Sequence, residues 1–368
     1  MIERFDVAII GGGPAGSTCA WRLKQAGVNV VVFDQKTFPR DKTCAGWVTP
    51  AVFDMLQIDQ DDYEQGRVLQ PITGFRTGVI GGKEIETRYD HAVSYGIRRR
   101  EFDTYLLNRS GTEMRTGQSV RSLTRLEECW RINETCEARV LVGAGGHFCP
   151  VARMLGAREV PHTSVVTAQE IELEVTPEDL TRGTIDAETP ELFFCEDLAG
   201  YGWCFRKESF LNIGLGRVEA NHLTDHVQSF VQFLRDRGKI VAPLPDRFHG
   251  HAYQLYEHVA PKLMGERVLL IGDAAGLAHP KSGEGIRPAV ESALIAAQLI
   301  QKALTSGQMD SLSMYPELME SHFGTLRQFG GLDWLPHSWL GWMSRQLLKS
   351  RLFTQHVILD QWFLNQAG

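Results

Sequence analysis

Apolar residues fall into two different rhythms along this chain. Near the start they form short unbroken runs, Val7-Ala8-Ile9-Ile10 and then 28–33, and between these Ala20, Leu23 and Ala26 recur at helical spacing before Gly27. Unbroken runs of this length read as strands buried on both faces, and the spacing between them as a helix packed on their sheet. The runs 138–144 and 267–271 have the same character, each closing on glycine. They predict a parallel sheet with crossover helices, an α/β unit. Elsewhere the rhythm alternates. Residues 72–79 and 83–89 flank a Gly81-Gly82 turn, and 163–175, 192–195, 201–205 and 211–215 alternate, with Lys207-Glu208-Ser209 as a turn. Alternation marks strands with one face covered, so an antiparallel sheet is expected. Helices are expected at 100–109 and 222–237, and helix with an acidic loop at 51–69.

Because the α/β runs resume after each alternating stretch, the domains are read as interleaved. The expected division is 1–70, 96–158 and 262–308 for the α/β domain, 71–95 and 159–261 for the antiparallel domain, and 309–368 for a C-terminal helical segment. No internal repeat or low-complexity stretch interrupts this plan.

The first strand runs into Gly11-Gly12-Gly13-Pro14-Ala15-Gly16. Strand, glycine turn and helix in that order make a dinucleotide fingerprint. Gly11, Gly13 and Gly16 permit the turn, the approach of a pyrophosphate and close helix packing. The free N–H groups at the helix start then face phosphate. The second strand ends in Asp34, about 20 residues on, where a carboxylate accepts from ribose hydroxyls. Gly272-Asp273-Ala274-Ala275-Gly276 closes the strand at 267–271. Asp273 at that strand end is placed to accept from ribityl hydroxyls. The two glycine motifs together describe a site for flavin adenine dinucleotide (FAD).

Composition narrows the alternatives. A formal charge of −7 without a basic block excludes a general nucleic-acid binder, although Arg98-Arg99-Arg100 is a local cluster suited to a ligand. The seven cysteines are scattered with no CxxC pair, and Met1 leads almost directly into the first strand, so the expectation is free thiols and a cytoplasmic protein. No run of about 18 apolar residues spans a membrane. No metal-ligand spacing is present, and no cysteine set suits an iron–sulfur cluster.

With these motifs the chain resembles flavoproteins of the para-hydroxybenzoate hydroxylase-like superfamily, and within it the geranylgeranyl reductase branch. The likeness rests on the fingerprint, on Phe38-Pro39-Arg40-Asp41-Lys42-Thr43-Cys44-Ala45-Gly46, on Arg99 in Arg99-Arg100-Glu101-Phe102-Asp103, and on Gly272-Asp273 with Pro280, Gly283-Glu284-Gly285 and Ile286. Gly202-Trp203-Cys204-Phe205 with Asn212-Ile213-Gly214 completes it. The resemblance implies a Rossmann-type FAD-binding domain interleaved with an antiparallel-sheet substrate domain. It implies cofactor contacts from Gly11, Gly13, Pro14, Ala15, Gly16, Asp34, Gln35, Arg40, Cys44, Ala45, Gly46, Arg99, Val120, Ala144, Gly145, Gly272, Asp273, Pro280, Gly283, Gly285 and Ile286. The helix following Gly285 would present its positive end to a reduced flavin. The chain departs from the pattern at Gly145-Gly146, where relatives carry Asp-Gly, at Cys149, where serine is common, and at Phe205-Arg206, where Phe-Pro is frequent.

Several residues carry two readings. Cys44 is a proton donor beside the flavin or an inert buried thiol. Trp47, Tyr201, Trp203 and Phe205 line an apolar substrate pocket or pack as core. His279 is an acid or base near the flavin or a structural histidine, and Arg206 reads an acidic headgroup or is an exposed hairpin residue. Trp334, Trp339, Leu340, Trp342, Met343, Leu347, Leu348, Phe353, Ile358, Trp362 and Phe363, with Arg345, Lys349 and Arg351, form a stripe that rests peripherally on a membrane or packs on its own domain or a dimer partner. The leading expectation is an FAD-dependent oxidoreductase that saturates carbon–carbon double bonds of an apolar, isoprenoid-like substrate, with NAD(P)H or another reductant as transient electron donor. The rival is an FAD-dependent monooxygenase, and a third reading is a flavin-binding protein without turnover. No oligomeric state follows from the residues.

Overall fold

A computed structural model describes residues 2–157, 165–218, 221–256, 262–324, 348 and 350–364. The chain forms two compact units, each assembled from separate stretches. One comprises Met1–Asp41, Arg100–Ser164 and Tyr253–Phe329, and the other Lys42–Arg99, Val165–Ala252 and Gly330–Gly368. Residues 42–70, expected with the α/β domain, cluster with the second unit.

The first unit is built on a sheet in the order Met264–Gly265, Val268–Leu270, Cys136–Gly143, Glu3–Ile10, Val30–Asp34, Glu113–Thr116. From Val268–Leu270 to Glu113–Thr116 every pairing is parallel, as the unbroken apolar runs predict. Glu3–Ile10 is central, and Val7, Ala8 and Ile9 have no exposed surface. Helix Pro14–Gln25 covers the sheet with Ala15, Cys19, Ala20 and Leu23, and helix Ile286–Ser306 with Ala289, Ala293, Ala296 and Ile300. Both faces of the central strand are dry, because Val7, Ala8 and Ile9 point alternately to the two faces and none is exposed. Sequence reading missed the short strands Glu113–Thr116, Leu123–Arg125 and Trp130–Ile132. Glu113–Thr116 lies at the sheet edge with Glu113 and Met114 exposed and Arg115 and Thr116 half-buried, so burial imposes no apolar pattern on it.

The second unit holds a seven-stranded sheet, ordered His249–Gln254, Val165–Glu174, Phe210–Arg217, Gly200–Lys207, Glu191–Phe194, Gly74–Val79, Glu84–Arg88. From Val165–Glu174 to Glu84–Arg88 the pairings are antiparallel except Glu191–Phe194 with Gly74–Val79, which is parallel. Helix Leu223–Asp236 packs on one face through Val227, Phe230 and Leu234. The opposite face carries an aromatic cluster described below.

The strand expected over 72–79 is present as Gly74–Val79, and its first residue, Ile72, instead ends a separate strand in another sheet. Leu69–Ile72 pairs with Ser94–Ile97 in a small sheet that also holds Trp47–Val48, whereas Gly74–Val79 joins the large one. The break falls where Thr73 N and Gly74 N both donate to Glu188 O, at 3.0 and 3.1 Å. A β-carbon on Gly74 would lie 2.6 Å from Thr87 O, so glycine permits the bend. The Gly81-Gly82 turn and the turn around Glu208, with φ +53°, stand where sequence placed them.

Most of the C-terminal stripe, including Trp334, Trp339, Leu340, Trp342, Met343, Arg345, Leu347 and Lys349, lies outside the described residues. The described remainder is a short helix, Arg351–Phe353, and a π-wound turn, Thr354–Phe363. Thr354, Ile358, Leu359 and Phe363 are buried against their own unit. No helix among the described residues is long and apolar enough to cross a membrane.

Candidate cofactor and substrate sites

In the first unit, the chain leaves the central strand at Gly11, whose φ of +117° is closed to other residues and whose N–H donates to Phe33 O at 2.7 Å. A β-carbon on Gly11 would run into the Ala144 carbonyl, and one on Gly16 into the Gly11 carbonyl. The turn is thus pressed flat between the next strand end and its own helix. Helix Pro14–Gln25 begins with proline, has no side-chain cap at Gly13 and carries no acid in its first turn. Its first N–H groups lack intrahelical partners, and among the described residues no side chain caps them. Such an end attracts phosphate.

Asp34 accepts from Gly12 N through Oδ2 and from Lys36 N through Oδ1, both at 2.8 Å. The carboxylate therefore clips the glycine turn to the second strand end while remaining partly open. Gln35 beside it is exposed. Arg40 ion-pairs with buried Asp103 at 3.1 Å and lies over Phe38, and its Nη2 is 3.4 Å from where a Gly13 β-carbon would sit. A fixed guanidinium thus stands beside the anion-seeking turn. Val120 is half-buried against the same core.

At the Gly145 departure, a β-carbon would meet Cys149 Cα at 3.2 Å and Sγ at 3.3 Å, a tight contact that a small shift of the neighbour relieves. Ala144 is buried and Gly145 exposed.

Gly272, with φ +59°, lies where a β-carbon would meet Ala15 at 3.0 Å and Ala289 at 3.3 Å. It lets the starts of the two long helices approach one strand end. Its N–H donates to Ser292 Oγ at 3.0 Å. Helix Ile286–Ser306 also starts without a side-chain cap or an acid in its first turn. Asp273 Oδ1 is 3.3 Å from a β-carbon position on Gly285, so its carboxylate faces that start. Pro280 and Gly283 lie on the preceding turn, where His279 Nδ1 is 3.1 Å from Ser282 Oγ and accepts from Lys281 N and Ser282 N, each at 3.4 Å. Burial, with Lys281 and Arg287 nearby, lowers the His279 pKa to about 4. The ring is a neutral acceptor that organises the turn. Burial raises the Glu284 carboxyl to about 7, with Arg287 opposing and Glu291 reinforcing.

These features test the fit to FAD. Two uncapped helix starts, glycine positions closed to a β-carbon, an accepting carboxylate at the second strand end and a fixed arginine suit a dinucleotide with an anionic middle.

In the second unit, Gly46 is buried with φ +64°, and a β-carbon would overlap Ile97 O and Lys207 Nζ. Ala45 and Cys44 are half-buried, and Cys44 Sγ accepts from Gly46 N at 3.4 Å. Arg99 is buried at the start of helix Arg99–Arg109. Trp47, Phe75, Tyr201, Trp203 and Phe205 form one apolar cluster with Ile358 and Phe363. Trp47 stacks on Phe363 with centroids 5.4 Å apart, and Phe363 meets Tyr201 edge-on at 5.3 Å. Trp203 and Phe205 are buried, whereas Trp47 and Tyr201 stay partly open. Trp47 Nε1 is buried without a hydrogen-bond partner among the described residues. Arg206 Nε bonds Glu208 O at 3.1 Å within its own hairpin.

Sequence reading missed the polar cluster beside Cys44: Glu170, Glu172, Lys207 and Arg98. Its visible signal was a pair of acids two residues apart, hence on one face, in the otherwise half-apolar strand Val165–Glu174.

Residues 4–322 match the FAD binding domain family. A chloroplastic geranylgeranyl diphosphate reductase of Oryza sativa is 28% identical, covering 83% of this chain and 68% of that protein. A menaquinone reductase of Mycolicibacterium smegmatis is 28% identical, covering 88% and 82%. A digeranylgeranylglycerophospholipid reductase of Methanocaldococcus jannaschii is 23% identical, covering 82% and 78%. The fold is shared with a geranylgeranyl bacteriochlorophyll reductase-like protein of Thermoplasma acidophilum, at TM-score 0.74 and 18% identity over 95% of this chain and 88% of that one. It is also shared with a probable FAD-dependent monooxygenase of Pseudomonas aeruginosa, at TM-score 0.65 and 18% identity over 97% and 100%. With its glycine turn, accepting carboxylate and two open helix starts, the chain belongs to the FAD binding domain family and is an FAD-dependent oxidoreductase.

Proposed function

We propose that this protein reduces carbon–carbon double bonds of an apolar, isoprenoid-like substrate, with NAD(P)H or another reductant as transient electron donor. One observation carries the reading. Relatives from a plant, a bacterium and an archaeon, each matched along most of this chain, are named reductases of geranylgeranyl diphosphate, menaquinone and digeranylgeranylglycerophospholipid, molecules that share an isoprenoid chain.

When bound and reduced, FAD supplies a hydride. The chain's own residues hold and orient. The open helix starts at Pro14 and Ile286 hold anionic groups, Asp34 accepts from ribose hydroxyls, and Arg40 adds a fixed positive charge beside the glycine turn. The partly open rings of Trp47 and Tyr201 offer apolar surface to a hydrocarbon chain and exclude water from it. Cys44 Sγ is the candidate protein group for the accompanying proton, with water as the alternative.

Anaerobic incubation of chemically reduced holoprotein with geranylgeranyl diphosphate tests this. Products heavier by two hydrogens per saturated bond are expected. In a parallel reaction of the reduced holoprotein and substrate with labelled dioxygen, a product that gains an oxygen atom establishes the monooxygenase reading, and a flavin that forms product in neither reaction establishes binding without turnover.

A further inference from the structure

Cys44 is fixed at three atoms by its own unit. Its N–H donates to Glu170 Oε2 at 3.3 Å, its carbonyl accepts from Asn212 Nδ2 at 3.1 Å, and its sulfur accepts from Gly46 N at 3.4 Å. The two clamping side chains are tied together, because Asn212 Nδ2 also donates to Glu170 Oε1 at 2.7 Å. Asn212 is held in turn by Trp203 Nε1, which donates to its Oδ1 at 2.7 Å. Glu170 is 5% exposed and Asn212 1%.

The charges around this clamp are shared unevenly. Glu172, two residues along the same strand, takes both neighbouring cations, Lys207 Nζ at 2.8 Å and Arg98 Nε at 3.2 Å. Lys207 also donates to Ile97 O at 2.9 Å, and Arg98 lies over the Phe210 ring. Among the described residues, Glu170 receives hydrogen bonds from neutral donors, the Cys44 amide and Asn212. A buried carboxyl in that position stays protonated more readily than its paired neighbour.

We propose that Glu170, with Asn212, is a positioning residue that clamps the Cys44 backbone, and that ionisation of Glu170 loosens the clamp. Burial holds the Glu170 carboxyl up at about 7 against an ordinary 4.5, with Glu172 reinforcing, and it outweighs the opposing pull of Lys207 and of the hydrogen bonds from Cys44 and Asn212, which favour the ionised form. Opening the loop wets the carboxyl and returns it toward the ordinary value. A raised pKa makes the closed form most favoured below about 4.5, an advantage that is lost as pH rises to about 7. Glu172 is kept ionised by Lys207 and Arg98 against its burial, and adds no matching transition.

Amide hydrogen exchange of Cys44 in the holoprotein, corrected for the intrinsic rate, reads the clamp directly. Between pH 5 and pH 8 wild-type protection is expected to fall on the order of tenfold or more, while amides of strand Glu3–Ile10 keep theirs. Glu170→Gln keeps the volume but cannot ionise, and its amide faces the Asn212 donor. Its Cys44 protection is expected to be lower than wild type at pH 5 and flat with pH. A flat wild-type profile, or a Glu170→Gln profile that still falls with pH, overturns the proposal. If that variant does not fold, the wild-type profile alone decides. The inference deepens the proposed function by naming what holds Cys44, but exchange is read without substrate. A protein that reduced no double bond would leave the clamp standing, and a reductase with a flat profile would lack it.

Discussion

Single residues in this protein are constrained chiefly by what their β-carbon would touch or by which proton they carry. Gly46 shows the first. Its positive φ and the overlap a β-carbon would make with Ile97 O predict that Gly46→Ala destabilises the second unit by about 2–4 kcal/mol, read by denaturant unfolding. His279 shows the second. Its folded pKa, lowered by burial to about 4 from 6.5, places its stabilising contribution in full above about 6.5 and loses it as pH falls toward 4. A His279→Gln variant keeps an acceptor without the charge. Its melting temperature is expected to fall less than wild type's between pH 6.5 and 4, and equal acid sensitivity would show that the ring plays no such part. Gly11, Gly16 and Asp34 were legible in the sequence because backbone approach and a strand-end carboxylate leave a mark at fixed spacing. The Glu170 cluster was not, because Cys44, Glu170 and Asn212 are brought together by strand pairing and a loop far apart in sequence. The neighbourhood of Gly145 and Cys149 was not legible either, because four residues of chain hide a contact that only the folded turn makes.

At the scale of elements, an uncapped helix start gives stability and binding opposite preferences. Gly13 has an ordinary extended conformation, so aspartate fits its backbone. Gly13→Asp is expected to leave the flavin-free protein as stable or raise its stability by about 0.3–1 kcal/mol, since an acid complements the helix dipole. The same charge opposes phosphate, and a flavin titration is expected to show affinity lowered by roughly tenfold or more. Unchanged affinity would remove this helix from the cofactor site. The π-wound turn Thr354–Phe363 has its own test. Tyr89 Oη donates to Asp360 at 2.7 Å and Phe363 stacks on Trp47, so Phe363→Ala is expected to cost about 3–5 kcal/mol in the second unit, with Trp47 fluorescence changing in step. Long buried strands and helices were readable because dry faces demand apolar residues at fixed periods. The short strands Trp47–Val48, Ser94–Ile97 and Glu113–Thr116 were not, because a few residues cannot display a period. The split at Thr73 was hidden for a related reason: the apolar rhythm crosses a bend set by Glu188, more than a hundred residues later.

For the molecule as a whole, each unit has its own core, and each is built from segments distant in sequence. FAD at a hundredfold its dissociation constant is expected to stabilise the folded chain by about 2.7 kcal/mol, read as a raised unfolding midpoint, and Gly11→Val to abolish the increment. The α/β character, the dinucleotide turn and the alternating sheet were decided by the sequence alone, because burial and backbone sterics act within a few residues and write themselves locally. Only the tertiary structure decided that residues 42–70 cluster with the alternating sheet, that Trp203 and Phe205 are buried while Trp47 and Tyr201 stay partly open, and that Lys207 and Arg98 pair with Glu172. Those outcomes depend on which distant side chains share a low-dielectric space, and pairing across such distances leaves no period in the chain to read.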